Sequence, residues 1–185
     1  MVHVAFHWNA ERWRILKNEE ITLVNYGLGN IRAFANVLNN LNIPFKVATT
    51  QKELLHAKKI ILPGVGSFDW AMSRLNNSGM RNMLDNLVLK NGVPILGVCV
   101  GMQMMANSSE EGKEPGLGWI DAKVIRFCYD STIRLPLPHM GWNDIKLLKA
   151  HPLFSELESP RYYFLHSYCI KATHSSAILA TARYG

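Results

Sequence analysis

The sequence predicts an α/β fold: a mostly parallel sheet covered by helices on both faces, with a smaller antiparallel sheet extension. Three observations carry that expectation. Between residues 21 and 106, short continuous apolar runs alternate with amphipathic stretches of helical period. The apolar runs lack strict alternation, as expected of strands buried on both faces. After Pro115 the alternation stops, and several strand-like segments follow with no long helix between them.

Each element has its own signal. Ile21–Val24 is a short apolar strand, and the turn-like Asn25-Tyr26-Gly27-Leu28-Gly29-Asn30 follows it. Ile31, Phe34, Ala35, Leu38 and Leu41 then form one helical stripe, which Pro44 ends. Phe45–Ala48 reads as a second strand and Gln51–Ala57 as a short helix. Ile60-Ile61-Leu62 is a third strand, running into Pro63-Gly64-Val65-Gly66. Phe68–Lys90 is helical, with an interruption at Asn76–Gly79. Val93–Val98 is a fourth strand, and Gly101–Ala106 starts another helix. Lys123–Tyr129, Asn143–Leu148, Arg161–Ile170 and Ala177–Thr181 are the strands of the antiparallel layer. Residues 1–20 show no clear period and read as an N-terminal extension to one domain spanning residues 21–185.

Composition narrows the function classes. The chain has 185 residues, 48% of them hydrophobic and 18% charged, a balance that fills a core and argues against disorder. Its apolar runs are too short to span a bilayer, and the first residues do not form a signal peptide. The net charge of +6 invites a nucleic-acid reading, but the basic residues are scattered and not interleaved with aromatics. No nucleic-acid or membrane partner is expected. Three cysteines at unpaired spacings argue against a disulfide framework and fit a reducing, cytoplasmic setting. The seven histidines have no metal-ligand spacing, so no metal and no cofactor are expected. Gly27-x-Gly29 lacks the third glycine and the acidic residue of a dinucleotide fingerprint.

The strongest chemical signal is Gly97-Val98-Cys99-Val100-Gly101, placed where a buried strand meets a helix. A nucleophile on so sharp a turn needs small residues two before and two after it, and glycine meets that need on both sides. A thiol at the first turn of a helix also has its negative charge stabilised by nearby backbone N–H groups. A buried cysteine serving as a small hydrophobe is the plainer reading, and the flanking glycines weigh against it. Pro63-Gly64-Val65-Gly66 ends a neighbouring strand, so its backbone N–H groups are candidates for an oxyanion hole beside Cys99.

With these motifs in hand, the chain resembles the class I, triad-type glutamine amidotransferases. Within them it looks like the glutaminase subunits of imidazole glycerol phosphate synthase. Further motifs carrying the resemblance are Ser109-Glu110-Glu111-Gly112, Pro138-His139-Met140-Gly141-Trp142-Asn143 and Phe164-Leu165-His166-Ser167-Tyr168. The resemblance implies that Cys99 attacks the side-chain amide of glutamine, giving a thioester and ammonia. It places Val65, Val100 and Gly64 at the oxyanion hole, and Gln103, Glu111, Ser167 and Tyr168 around the substrate. It turns Asn25, Asn30 and Trp142 toward a (β/α)₈-barrel cyclase subunit that receives the ammonia in histidine biosynthesis. Paralogues that feed a surface-polysaccharide sugar amidotransferase, and a non-catalytic regulatory role, are the alternatives. The family's catalytic His and Glu lie in a His-Pro-Glu stretch beyond the position of Gly185. The expectation is therefore a chain that lacks the family's C-terminal end, carries the nucleophile without its base, and has little turnover of its own.

Overall fold

The computed structural model describes residues 2–5, 19–127, 136–154 and 160–184. Two sheets organise them. The parallel sheet has the order β3-β2-β4-β5, formed by β2 (Ile21–Val24), β3 (Phe45–Ala48), β4 (Lys59–Gly64) and β5 (Ile95–Cys99). Its registers are parallel throughout, with Leu62 opposite Gly97 and Gly64 opposite Cys99.

The two faces of this sheet read directly from the alternation of side chains along each strand. Ile21, Leu23 and Ile61 point to the side covered by α1 (Ile31–Asn40), where they meet Leu38 and Phe34. Val24, Ile60 and Leu62 point to the other side, against α3 (Phe68–Asn77) and α4 (Arg81–Asp85). Asn30 caps α1 by accepting a hydrogen bond from the Ala33 N–H at 3.2 Å. Thr50 and Glu53 form a capping box at α2 (Gln51–Leu54), which is shorter than the sequence pattern suggests. The helical stretch breaks near Gly79 as expected, and α4 runs into a π-helical turn over Asn86–Lys90.

The antiparallel layer is larger than its sequence signal, with seven strands against four in the parallel sheet. It comprises β1 (Val2–Ala5), β6 (Ser108–Ser109), β7 (Ala122–Arg126), β8 (His139–Leu147), β9 (Arg161–His166), β10 (Tyr168–Ala172) and β11 (Ile178–Ala182), in the order β6-β7-β10-β1-β11-β8-β9. Only β6 pairs parallel, with β7. Two differences from the sequence reading stand out. The strand expected over Asn143–Leu148 starts earlier, at His139, and is paired residue for residue with β9 from His139–His166 to Asp144–Arg161. Cross-strand pairing stabilises a stretch whose Gly141, at φ 135°, masks its strand character in the sequence. The long strand expected over Arg161–Ile170 is broken at Ser167 into β9 and β10. The sheet also reaches back to the N-terminus, because β1 pairs on both sides, with β10 and with β11.

Candidate active site

Cys99 ends β5 and caps the one-turn helix α5 (Val100–Gln103) with φ 57° and ψ −124°. A non-glycine residue in that region is strained, and such strain persists only where the surroundings fix it. Close packing fixes it here. A Cβ on Gly97 would fall 2.5 Å from Met102 Cα, and one on Gly101 would collide with the Leu62 carbonyl oxygen. A Cβ on Gly64 would collide with the Gly101 backbone nitrogen. Both glycines of the elbow and Gly64 of the neighbouring loop are therefore required by one contact region. The thiol is exposed.

The Gly64–Cys99 register sets the Pro63-Gly64-Val65-Gly66 loop beside the elbow, as the sequence suggests. Val65 is exposed, while the Val100 side chain is buried beneath the turn. Tyr26, which sequence reasoning passed over, holds this loop from below. Its buried hydroxyl donates to the Pro63 carbonyl at 2.8 Å. Burial, and then the neighbouring Cys99, push its phenol well above the ordinary range. Its only sequence signal is a tyrosine inside a turn of glycines and asparagines.

Cys99 opens into a cavity of about 460 Å³ between the end of the parallel sheet and the antiparallel layer. Gln103, His166 and Tyr168 line it, joined by Phe154, Phe164 and Ile170. Gln103 is buried, as a residue on the inner turn of α5 must be. Ser167 sits at the break between β9 and β10, its carbonyl accepting from the Phe127 N–H at 3.1 Å. Glu111 is not among the cavity-lining residues. Its carboxylate accepts from the Phe68 N–H at 2.9 Å and so caps α3, while Asp69 of α3 accepts from the Lys113 and Glu114 N–H groups. The two carboxylates clasp loop 109–114 to the helix start.

The residues expected at a partner surface have local roles too. Asn25 accepts from the Gly27 N–H at 3.1 Å, closing the turn, and Asn30 is the α1 cap. Trp142 is 65% exposed and lies edge-on to Tyr163, its cross-strand neighbour.

One member of a histidine pair, His166, lines the cavity. His139 and His166 face each other across β8 and β9, with ring centroids 5.3 Å apart. His139 is buried between the rings of Tyr184 and Phe164. The His166 Nδ1 lies 2.7 Å from the Tyr168 carbonyl, so Nδ1–H donates and Nε2 carries the lone pair. Burial holds both imidazoles below the usual histidine range, and His166 adds to the effect on His139. Of the other cysteines, Cys169 is buried in β10, and Cys128 lies outside the described residues. Among the described residues no cluster of three metal-ligating side chains occurs, and no helix is long and apolar enough to cross a membrane.

The family glutamine amidotransferase class-I matches residues 22–184. The chain belongs to the class-I glutamine amidotransferases. Among curated relatives, the imidazole glycerol phosphate synthase subunit HisH of Bdellovibrio bacteriovorus is 54% identical over 167 residues, covering 89% of this chain and 82% of that protein. The protein of the same name from Leptospira borgpetersenii is 48% identical, with the same coverage. Solved structures agree on the fold. A glutamine amidotransferase crystal structure matches with a TM-score of 0.66 at 19% identity, over 86% of this chain and 78% of that one. The structure of PurLQS from Thermotoga maritima matches with a TM-score of 0.61 at 15% identity, over 90% of this chain and 75% of that one.

Proposed function

We propose that this class-I amidotransferase chain is the glutaminase subunit of imidazole glycerol phosphate synthase, with Cys99 as its nucleophile. The single observation that carries the chemistry is the strained elbow: an exposed thiol at positive φ, locked by Gly97, Gly101 and Gly64. The pathway rests on the relatives, which carry the name of that synthase subunit at 37–54% identity. They favour it over the surface-polysaccharide and regulatory alternatives.

In this reading the Cys99 sulfur attacks the amide carbon of glutamine. The N–H groups of Val65 and Val100, with Gly64 allowing the close approach, stabilise the oxyanion that forms. Collapse expels ammonia, with the thiol's proton ending on the departing nitrogen, and leaves a glutamyl thioester, which water cleaves to glutamate and the free thiol. Gln103 and Tyr168, from the cavity wall, contact the substrate, with Ser167 presenting its backbone. Glu111 contributes through the loop it anchors. Ammonia passes to a barrel-shaped cyclase subunit that docks on the face carrying Asn25, Asn30 and Trp142. Free thiols and a biosynthetic role fit the cytoplasm. Taken alone, the described residues give Cys99 one cavity imidazole, His166, whose Nδ1 is engaged.

A glutamine-analogue electrophile, followed by mass mapping, tests the assignment. Cys99 should be labelled first and Cys99→Ala should abolish glutamine-protectable labelling. Preferential labelling of Cys169, or labelling that glutamine does not slow, refutes it.

A further inference from the structure

The loop that faces Cys99 is pliable by composition. Gly64 and Gly66 flank Val65, and Gly66 sits at φ 84°. Glycines give the intervening peptide units little resistance to rotation, yet an oxyanion hole works only when its N–H groups are already aimed. Something outside the loop has to hold it. Turn 25–30, which joins β2 to α1, meets Pro63 at two points. The Tyr26 hydroxyl donates to the Pro63 carbonyl at 2.8 Å. Gly29, at φ 93°, approaches so closely that a Cβ there would fall 2.7 Å from Pro63 Cβ.

The hydrogen bond fixes more than one atom. The Pro63 carbonyl lies in the same rigid plane as the Gly64 N–H, and the next peptide unit carries the Val65 N–H. A donor held on that carbonyl therefore sets the starting orientation of the unit that aims Val65. The donor itself cannot wander. Tyr26 is buried, and its hydroxyl has the Met104 sulfur at 3.6 Å as its other neighbour. Thioether sulfur is a weak acceptor, so the carbonyl takes the proton. Burial also keeps the phenol protonated across the working range of a thiol enzyme, so the bond persists at every pH where the site operates.

Resting on the glutaminase reading, we propose that Tyr26 is the positioning residue of the oxyanion loop, acting through the Pro63 carbonyl to hold the Val65 N–H where negative charge develops. Its hydroxyl proton is committed to that carbonyl, not to the Cys99 sulfur nearby. Its effect should therefore appear only in steps that put charge on the carbonyl oxygen.

The test uses the full 185-residue chain and two probes that share Cys99 but differ in that respect. Iodoacetamide is displaced at a saturated carbon by the thiolate, with iodide leaving, and forms no oxyanion. The γ-aldehyde analogue of glutamine adds the sulfur to its carbonyl carbon. The carbonyl electron pair moves to oxygen, which takes up the thiol proton, and the product is a reversible thiohemiacetal with that oxygen in the hole. Tyr26→Phe should bind the aldehyde about tenfold more weakly, a fraction of the ~10²–10³ that losing an oxyanion donor costs. Its iodoacetamide rate should stay within twofold of the parent. Where glutamate release is measurable, with the cyclase subunit present, kcat should fall about tenfold while KM stays near the parent value.

Gly29→Ala, which pushes on Pro63 from the other side, should show the same split. Leu84→Val, a core change in α4 away from the site, should lower the melting temperature and leave aldehyde affinity as in the parent. That control separates positioning from general loss of stability. Parent-like aldehyde affinity in Tyr26→Phe overturns the proposal, as does an equal loss with both probes. If the parent chain binds no aldehyde analogue at Cys99, the glutaminase reading itself fails. If it binds with no dependence on Tyr26, only the present inference does.

Discussion

Gly97 shows how tightly the reactive turn is specified at the scale of single atoms. A methyl group there meets Met102 Cα and backbone nitrogen, neither of which can move without moving α5. Overpacking of this kind costs about 1–3 kcal/mol, and relief would come by displacing the elbow. Gly97→Ala should melt earlier and lose glutamine-protectable labelling of Cys99 by at least tenfold, read by mass mapping. Parent-like labelling would mean that the turn tolerates a side chain and that its glycine serves no geometric end. At this scale the sequence is unevenly legible. Cys99 can be read because its flanking glycines have no other reason to be there, and the packing against Met102 supplies that reason. Tyr26 cannot, since a tyrosine in a turn says nothing about which carbonyl its hydroxyl will meet. Nor can the clasp formed by Glu111 and Asp69, which joins residues more than forty positions apart.

The β8–β9 hairpin is the element where pattern and structure diverge most. Met140 and Trp142 lie on one face of β8, opposite Leu165 and Tyr163 of β9, and all four side chains are exposed. Hydrophobic pairs on an open face argue for a covering partner, and a large aromatic contributes much contact area at small entropic cost. Trp142→Ala should weaken cyclase association at least tenfold in a titration, since central aromatics carry a large share of interface energy. Glutamine-protectable labelling of Cys99 should stay as in the parent. Unchanged association would remove this face from the interface. The parallel strands are legible because they are short, mostly apolar runs bounded by turn residues, and Ile21–Val24, buried throughout, and Phe45–Ala48, a partly exposed edge strand, match the structure end to end. The hairpin is not, because its glycine and asparagine look like turn residues and its stability comes from a neighbour across the sheet.

Across the whole molecule, stability should depend on pH through the histidine pair. Both imidazoles are held below 6.5 by burial, so the unfolded chain binds more protons than the folded one as pH falls through that value. The pair's contribution is complete above about pH 6.5 and is lost as pH drops toward the lowered folded values. The melting temperature should be flat from about pH 8 to 7 and decline toward about pH 5.5, and His166→Gln should decline less steeply. A parent curve that rises on acidification would contradict the burial of these rings.

The place of β1 bears on how the molecule is made. Val2 pairs with Ala182, so a strand that leaves the ribosome early finds this partner only after almost all of the described chain has been synthesised. At about 5–20 residues per second, that wait is on the order of ten to forty seconds. Throughout it the parallel half can fold on its own local contacts, while β1, β7 and β8 present edges whose partners β10 and β11 come later in the chain. Nascent chains therefore pass through a stage with an open strand position, competent to accept an extended segment from another chain. Closure of this pairing is slow, because it joins strands about 180 residues apart in the chain.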